Sequence, residues 1–329
     1  MGILHAGILN ALPFSTVTAV AEKEGMLTRF AKKLLPTLRF YSSAQDMLAI
    51  ENDLDAVYIT TPISSHRPII EGMALTHRRL GVFVEKPLAG NYADAYAIAS
   101  CSAQLGGCNM VGFQKRFSPI FQKGRNLLCE GILGELTSFT AYSFASAVFG
   151  DGTGWRQKEG QGGALLDLGP HLIDALMWYF GKPVSVEGRA GSLYSREVDD
   201  FARGVIHFSP SIRGEFEVSW SREGYRLPEI GIEISGNNGK MKVTDDYLRL
   251  ELRANSLGMA AGKHLFRKPE FRTNVDFLIG DPEYCSEDKY FLDCLRLGNL
   301  PQPDFATGAA VNDIIERILH NSANAEVAG

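Results

Sequence analysis

The chain has 329 residues, 45% of them hydrophobic and 22% charged, and a formal net charge of -5 at pH 7, an ordinary globular composition for about two domains. That charge, with no dense cluster of Lys and Arg, excludes long-range attraction to nucleic acid or an anionic membrane and leaves a small molecule as the expected partner. No apolar run approaches the ~20 residues of a bilayer span and no signal-peptide pattern opens the chain, so the protein is read as cytoplasmic.

Up to about residue 117, apolar runs of strand length alternate with helical patterns, the signature of parallel βαβ units. Strands are predicted at Thr16–Val20, Ala56–Thr60, Val82–Glu85 and Asn109–Phe113, and helices near 3–11, 24–33, 43–50, 66–79 and 91–104. Their continuous apolar character suits a sheet covered on both faces. After Pro119 the pattern changes. A helix near 119–130 precedes a strand at 136–143, then a helix through Asp174, then longer strands at Val184–Ala190, Phe201–Phe208, Ile212–Ser219, Glu229–Ser235 and Lys240–Val243. A polar, irregular stretch near 253–286 leads to closing helices at about 287–297 and 307–323. The fold class is therefore α/β: a Rossmann-type parallel-sheet domain over 1–117, and an α+β domain with a large, mainly antiparallel open sheet over 118–329.

The chemistry is expected in the run from Gly162-Gly163 through Asp167, His171 and Asp174. Pro170 suits the first turn of a helix, and if that helix begins by Asp167 the three polar residues share one face. In the first domain, Thr60-Thr61-Pro62 with His66, and Glu85-Lys86-Pro87, follow buried strands directly. They occupy the carboxyl ends of parallel strands, the edge at which open α/β sheets bind ligands. Gly2 fits the third glycine of a Gly-x-Gly-x-x-Gly turn, and Glu22 lies where an acid accepts ribose hydroxyls. The strand and first two glycines that normally precede are absent from the sequence. This is read as a start at an internal Met with about ten residues upstream; if the chain is made as it stands, an open central sheet position is expected to weaken solubility or cofactor affinity. The five cysteines, Cys101, Cys108, Cys129, Cys285 and Cys294, form no Cys-x-x-Cys pair and read as reduced thiols. His5, His66, His77, His207, His264 and His320 show no metal-ligand spacing, so no metal is expected.

The ordered set of Gly2 with His5-Ala6, Thr61-Pro62 with His66, Glu85-Lys86-Pro87-Leu88, Gly112 through Pro119, Trp155-Arg156 and Gly162 through Asp174 resembles the Gfo/Idh/MocA oxidoreductases. The resemblance covers nearly the whole chain and implies hydride transfer between a nicotinamide and a sugar, inositol or related polyol, in a cleft between the two domains. It maps the catalytic group onto Lys86, Asp167 and His171, with His171 as general acid/base and Lys86 by the reacting oxygen. Cofactor contacts are expected from Gly2, Glu22, Thr60, Thr61, Pro62, His66, Glu85, Lys86, Gln114 and Arg116, and substrate contacts from Lys86, Trp155, Arg156, Asp167, His171 and Asp174. Glu22 favours NAD over NADP by repelling a 2′-phosphate, with Lys23 partly offsetting it. The resemblance also implies a homodimer or homotetramer packed through the exposed face of the second sheet, a role with which the alternation in Ile212–Ser219 and Glu229–Ser235 is compatible. A second reading is a family relative that binds a ligand or partner without turnover. The absent strand favours it, and the presence of Lys86, Asp167 and His171 opposes it.

Overall fold

The alternation of apolar runs and helical patterns in the first third of the chain folds into parallel strands and helices, with the first strand at Ala19–Ala21 and a further short strand at Arg39–Tyr41 beyond those expected from the sequence. In a computed structural model, described for residues 1–34, 37–76, 79–147, 162–209, 211–271 and 280–327, the chain divides into two units. Unit 1 comprises Met1–Ala89, Ala93–Gly112 and Val275–Ala309, and unit 2 comprises Gly90–Tyr92, Phe113–Asn274 and Ala310–Gly329. The C-terminal part of the sequence is thus shared between them.

Unit 1 runs α1 (Gly2–Ala11), β1 (Ala19–Ala21), α2 (Gly25–Leu34), β2 (Arg39–Tyr41), α3 (Ala44–Ile50), β3 (Ala56–Ile59), α4 (His66–Leu75), β4 (Gly81–Glu85), α5 (Tyr92–Ser100) and β5 (Asn109–Gly112). Its strands lie in two parallel sheets, β1-β2 and β3-β4-β5. Strand β4 is the middle of the larger sheet and Val82, Phe83 and Val84 are wholly buried, as a run without alternation requires when both faces are covered. Ser43 caps α3 by accepting the Asp46 N–H at 3.0 Å. The returning helix α8 (Pro282–Leu297) packs on α1 through Ile8, Leu12 and Cys285, flanked by Leu4, Tyr284 and Leu292. It starts earlier than the 287 read from the sequence, because Pro282 stands in its first turn.

Unit 2 is built on an eight-stranded sheet. Its strands are β6 (Leu136–Phe144), β7 (Ser185–Gly191), β8 (Phe201–Ser209), β9 (Ile212–Ser219), β10 (Glu229–Gly236), β11 (Gly239–Thr244), β12 (Tyr247–Leu252) and β13 (Gly262–Arg267). The spatial order is β13-β12-β11-β10-β6-β9-β8-β7, antiparallel throughout except for β6 beside β9. Helices α6 (Pro119–Cys129) and α7 (Ala164–Phe180) cover one face, α6 against β11 and β12 and α7 against β6, β8 and β9. The alternation in β9 and β10 serves this layer: Phe216, Val218, Ile230, Ile232 and Ile234 are buried. The opposite face carries Arg203 and Lys242 in register with Glu217 and Glu233, together with Tyr142 and Phe144 stacked at 4.7 Å. Strand β13 corrects the irregular stretch near 253–286; it is a largely exposed edge strand paired with β12.

Candidate active site

The polar residues at the strand ends of unit 1 are held by one another. Gly2 opens α1, and a β-carbon there would fall 2.9 Å from Thr60 Oγ1, just past β3. A side chain at Gly2 would have to displace the Thr60 hydroxyl, so glycine suits this close approach of the helix N-terminus to the carboxyl edge of the sheet. Thr61 accepts a hydrogen bond from the Ser65 hydroxyl at 2.7 Å. His66 is buried, with Nδ1 3.1 Å from the Leu88 carbonyl and Nε2 3.0 Å from that of Thr61. It ties the loop after β3 to the loop after β4, and burial lowers its pKa against the pull of those two carbonyls. Glu22 follows β1, and its Oε1 accepts the Glu24 N–H at 2.9 Å.

Glu85 ends β4 and its side chain is committed. One carboxylate oxygen faces His5 Nε2 at 2.9 Å, and the other accepts the backbone N–H of Lys86 at 3.2 Å. Gly112, its register partner on β5, leaves the room: a β-carbon there would lie 3.2 Å from Glu85 Oε2. The second ring nitrogen of His5 meets Asp288 of α8 at 2.9 Å. Burial works against a charge on His5, but the hydrogen bonds and charges of Asp288 and Glu85 outweigh it and raise its pKa to about 9. The folded pKa lies above the unfolded value of 6.5, so the stabilisation is complete below 6.5 and is lost as pH rises through about 9. A shift of that size is worth about 3 kcal/mol. Denaturation measured from about pH 7 to about pH 10 is expected to show this loss in the wild type and not in His5→Gln; a parallel loss in both would contradict it.

In unit 2, α7 carries Asp167, His171 and Asp174 on one face, all buried. The helix starts at Ala164, so Pro170 lies inside it and not in its first turn. Its N-terminus is set from elsewhere in the chain. Asp199 accepts the Leu165 N–H at 2.8 Å, and its own carbonyl accepts the Ala164 N–H at 2.9 Å. Gly163 sits at φ +104°, where a β-carbon would fall 2.1 Å from Asp199 Oδ1, so neither the conformation nor the space admits another residue. Burial pushes the Asp199 carboxyl up to about 6 against the Leu165 N–H. The neighbouring Asp200 accepts the N–H groups of Leu193, Tyr194 and Ser195 and so fixes the loop that presents Asp199.

Arg116 lies in the 3-10 turn Gln114–Phe117 and grips Asp174 with two nitrogens, Nε at 2.9 Å and Nη2 at 2.7 Å. Asp174 is fully buried; burial pushes its carboxyl up and the guanidinium draws it down. The same guanidinium lies 5.9 Å from the Trp178 ring, which Arg125 approaches at 5.0 Å. Phe113 meets the His171 ring edge-on at 6.5 Å. Gln114 is half-buried beside Arg116. The structure thus joins Arg116 to Asp174 and Glu85 to His5, and it brings Gly2 to Thr60 and His66 to Thr61. Lys86 is half-buried on the turn after β4. Trp155 and Arg156 lie outside the described residues, as does His77. Among the described residues no cluster of His, Cys, Asp and Glu is arranged to hold a metal, and no helix is long and apolar enough to cross a membrane.

These features agree with what the chain is similar to. Residues 2–113 match the oxidoreductase family with an NAD-binding Rossmann fold, and residues 121–242 match the GFO/IDH/MocA C-terminal domain. Trans-1,2-dihydrobenzene-1,2-diol dehydrogenase of Mus musculus is 26% identical over 98% of this chain and 96% of its own. Scyllo-inositol 2-dehydrogenase (NAD(+)) of Bacillus subtilis is 23% identical over 92% of this chain and 85% of its own. A levoglucosan dehydrogenase solved in complex with NADH shares the fold at a TM-score of 0.87, with 21% identity over 98% of this chain and 94% of that one. The two domain matches run in order through well over half of the chain, which belongs to the GFO/IDH/MocA family of oxidoreductases, with residues 2–113 its NAD-binding Rossmann fold.

Proposed function

We propose that the protein transfers hydride between NAD and a CH–OH carbon of a ring polyol, with His171 as general acid/base and Lys86 beside the reacting oxygen. The observation that carries this is α7. A buried helix whose start is fixed by Asp199, and which Arg116 grips further along at Asp174, presents Asp167 and His171 four residues apart on one face. Such cost in buried polar groups suits a site that must hold an imidazole still.

NAD supplies the hydride acceptor. In unit 1, Gly2 at the start of α1 is the residue for its pyrophosphate, Glu22 for a ribose, and Thr60, Thr61 and Pro62 for the carboxyl edge of the sheet. On this reading the backbone at Gly2, where a β-carbon would press on the Thr60 hydroxyl, is the cradle for the pyrophosphate. His66 and Glu85 act through the chain they hold rather than by direct contact. When an alcohol is oxidised its hydroxyl proton must leave as hydride departs, and His171 takes it. The Lys86 ammonium stabilises negative charge on that oxygen, and Asp167 orients the imidazole. The free 2′-hydroxyl that Glu22 accepts places NAD ahead of NADP.

The ring polyol follows from two relatives, whose names describe a dehydrogenase of a cyclic dihydrodiol and one of an inositol. Both substrates carry a secondary hydroxyl on a six-membered ring with a hydroxyl beside it. The test is an initial-rate assay of NADH formation from NAD with scyllo-inositol, trans-1,2-dihydrobenzene-1,2-diol and an acyclic polyol. Turnover of a ring substrate is expected. Tight NADH binding with no turnover of either ring compound would favour the non-catalytic reading.

A further inference from the structure

The first turn of α1 meets two structures at once. At Gly2 it abuts Thr60 at the carboxyl end of β3. One turn further in, His5 bridges Glu85, at the carboxyl end of β4, and Asp288 of α8. The bridge is dry: His5, Glu85 and Asp288 are 1%, 8% and 0% exposed. Three elements far apart in sequence therefore converge on one imidazole, and the carboxylate it holds also receives the Lys86 N–H. Nothing in the chemistry of hydride transfer calls on His5, yet it ties the helix that starts at Gly2 to the carboxyl end of β4.

The groups around it leave the positive charge on His5. Tyr58 of β3 lies with its ring centroid 5.7 Å away, and Tyr284 of α8 at 6.1 Å. Burial raises both phenols, with Asp288 and Glu287 acting further on Tyr58, and Glu85, Glu287, Asp281 and Glu283 on Tyr284, so both stay neutral. Phe83 of β4 packs against the ring at 5.1 Å. Glu85 also faces His66 electrostatically, but burial keeps that imidazole from taking a proton. Between two buried carboxylates a neutral imidazole has one proton to give, whereas an imidazolium satisfies both. Loss of the proton leaves one carboxylate facing a bare ring nitrogen in a dry site, which the three elements relieve by moving apart.

We propose that His5 is a positioning residue for the cofactor: clamped between Glu85 and Asp288, it sets the N-terminal turn of α1 against the carboxyl ends of β3 and β4, and so fixes the cradle at Gly2. The inference rests on Gly2 lining the cofactor site. It makes NADH affinity depend on pH through a residue that touches no part of the cofactor.

The test is a fluorescence titration with NADH from about pH 7 to about pH 10, on the wild type, His5→Gln and Asp288→Asn, with circular dichroism taken on each sample. In the wild type the Kd is expected to rise about tenfold with a midpoint near the His5 titration. In His5→Gln it is expected to start about tenfold weaker and to stay flat, because the charge is already gone. Asp288→Asn moves the midpoint to lower pH and serves where His5→Gln fails to fold. A flat wild-type profile overturns the proposal without any variant. A purely structural His5 would lower the melting temperature yet leave the pH profile of binding unchanged, and that result also overturns it. No NADH binding at any pH removes the cofactor reading beneath the proposal, whereas tight binding indifferent to His5 removes the proposal alone.

Discussion

Replacing His171 by alanine is expected to lower turnover with a ring polyol by about a hundred- to ten-thousandfold while leaving the Kd for NADH within about twofold. His171 lies on α7 in unit 2, whereas Gly2, Glu22 and the strand-end threonines lie in unit 1, so on the proposed roles the substitution removes the proton acceptor and leaves those unit 1 residues unchanged. Lys86→Met is expected to fall in the same range. Its side chain supplies charge, and methionine keeps the aliphatic stem. Asp167→Asn, which retains a polar partner of the same shape, is expected to lose only about tenfold. The pH profile separates the roles: with the general base gone, the acid limb of kcat should disappear in His171→Ala and persist in Lys86→Met. Equal turnover in wild type and His171→Ala would end the assignment of His171, whatever Lys86 does.

The largest effect on stability is expected from Arg116→Met. Asp174 is fully buried and is gripped by two guanidinium nitrogens, so removing the cation leaves a buried carboxylate without that partner, at a cost of about 3–5 kcal/mol. Asp174→Asn is expected to cost less, because the guanidinium left without its counter-charge is 12% exposed, against 1% for the carboxylate, and keeps the amide oxygen as an acceptor. The double variant Arg116→Met/Asp174→Leu, which exchanges the pair for apolar groups, should recover much of the loss. Urea denaturation of the three variants measures this. A loss under about 1 kcal/mol for Arg116→Met would show that solvent reaches the pair and screens it. Since α7 carries Asp167 and His171 on the same face as Asp174, the unstable variant should also lose turnover.

Much of this was legible in the residues. The continuous apolar run before Glu85 reads as a covered central strand, and β4 is wholly buried. The spacing of Asp167, His171 and Asp174 reads as one helix face, and α7 places them so. What the sequence hides is long-range. Pro170 looks like a helix start, yet α7 begins at Ala164 because Asp199, 34 residues from Leu165, takes its first donors. His5 belongs with Gly2 to the family-like motif, but nothing local says what it holds; its partners lie 80 and 283 residues away. The same holds for the pairing of Asp174, read from the sequence as a substrate contact, with Arg116, 58 residues earlier. Strand β13 was missed for a different reason. As an edge strand with no buried face it shows no alternation to read, and only its pairing with β12 defines it.

The measurement that bears most directly on the whole account is a calorimetric titration of the purified 329-residue chain with NADH and, separately, with NADPH. Unit 1 carries its five strands in two sheets, and the account holds that it is nonetheless a working nicotinamide site with Gly2 at its cradle and Glu22 reading the ribose. Binding of NADH in the micromolar range is expected, with NADPH weaker by about tenfold because Glu22 faces its 2′-phosphate. Failure to bind either cofactor, with the chain folded by circular dichroism, would contradict the account at its root. Preference for NADPH would contradict the role given to Glu22 and leave the rest standing.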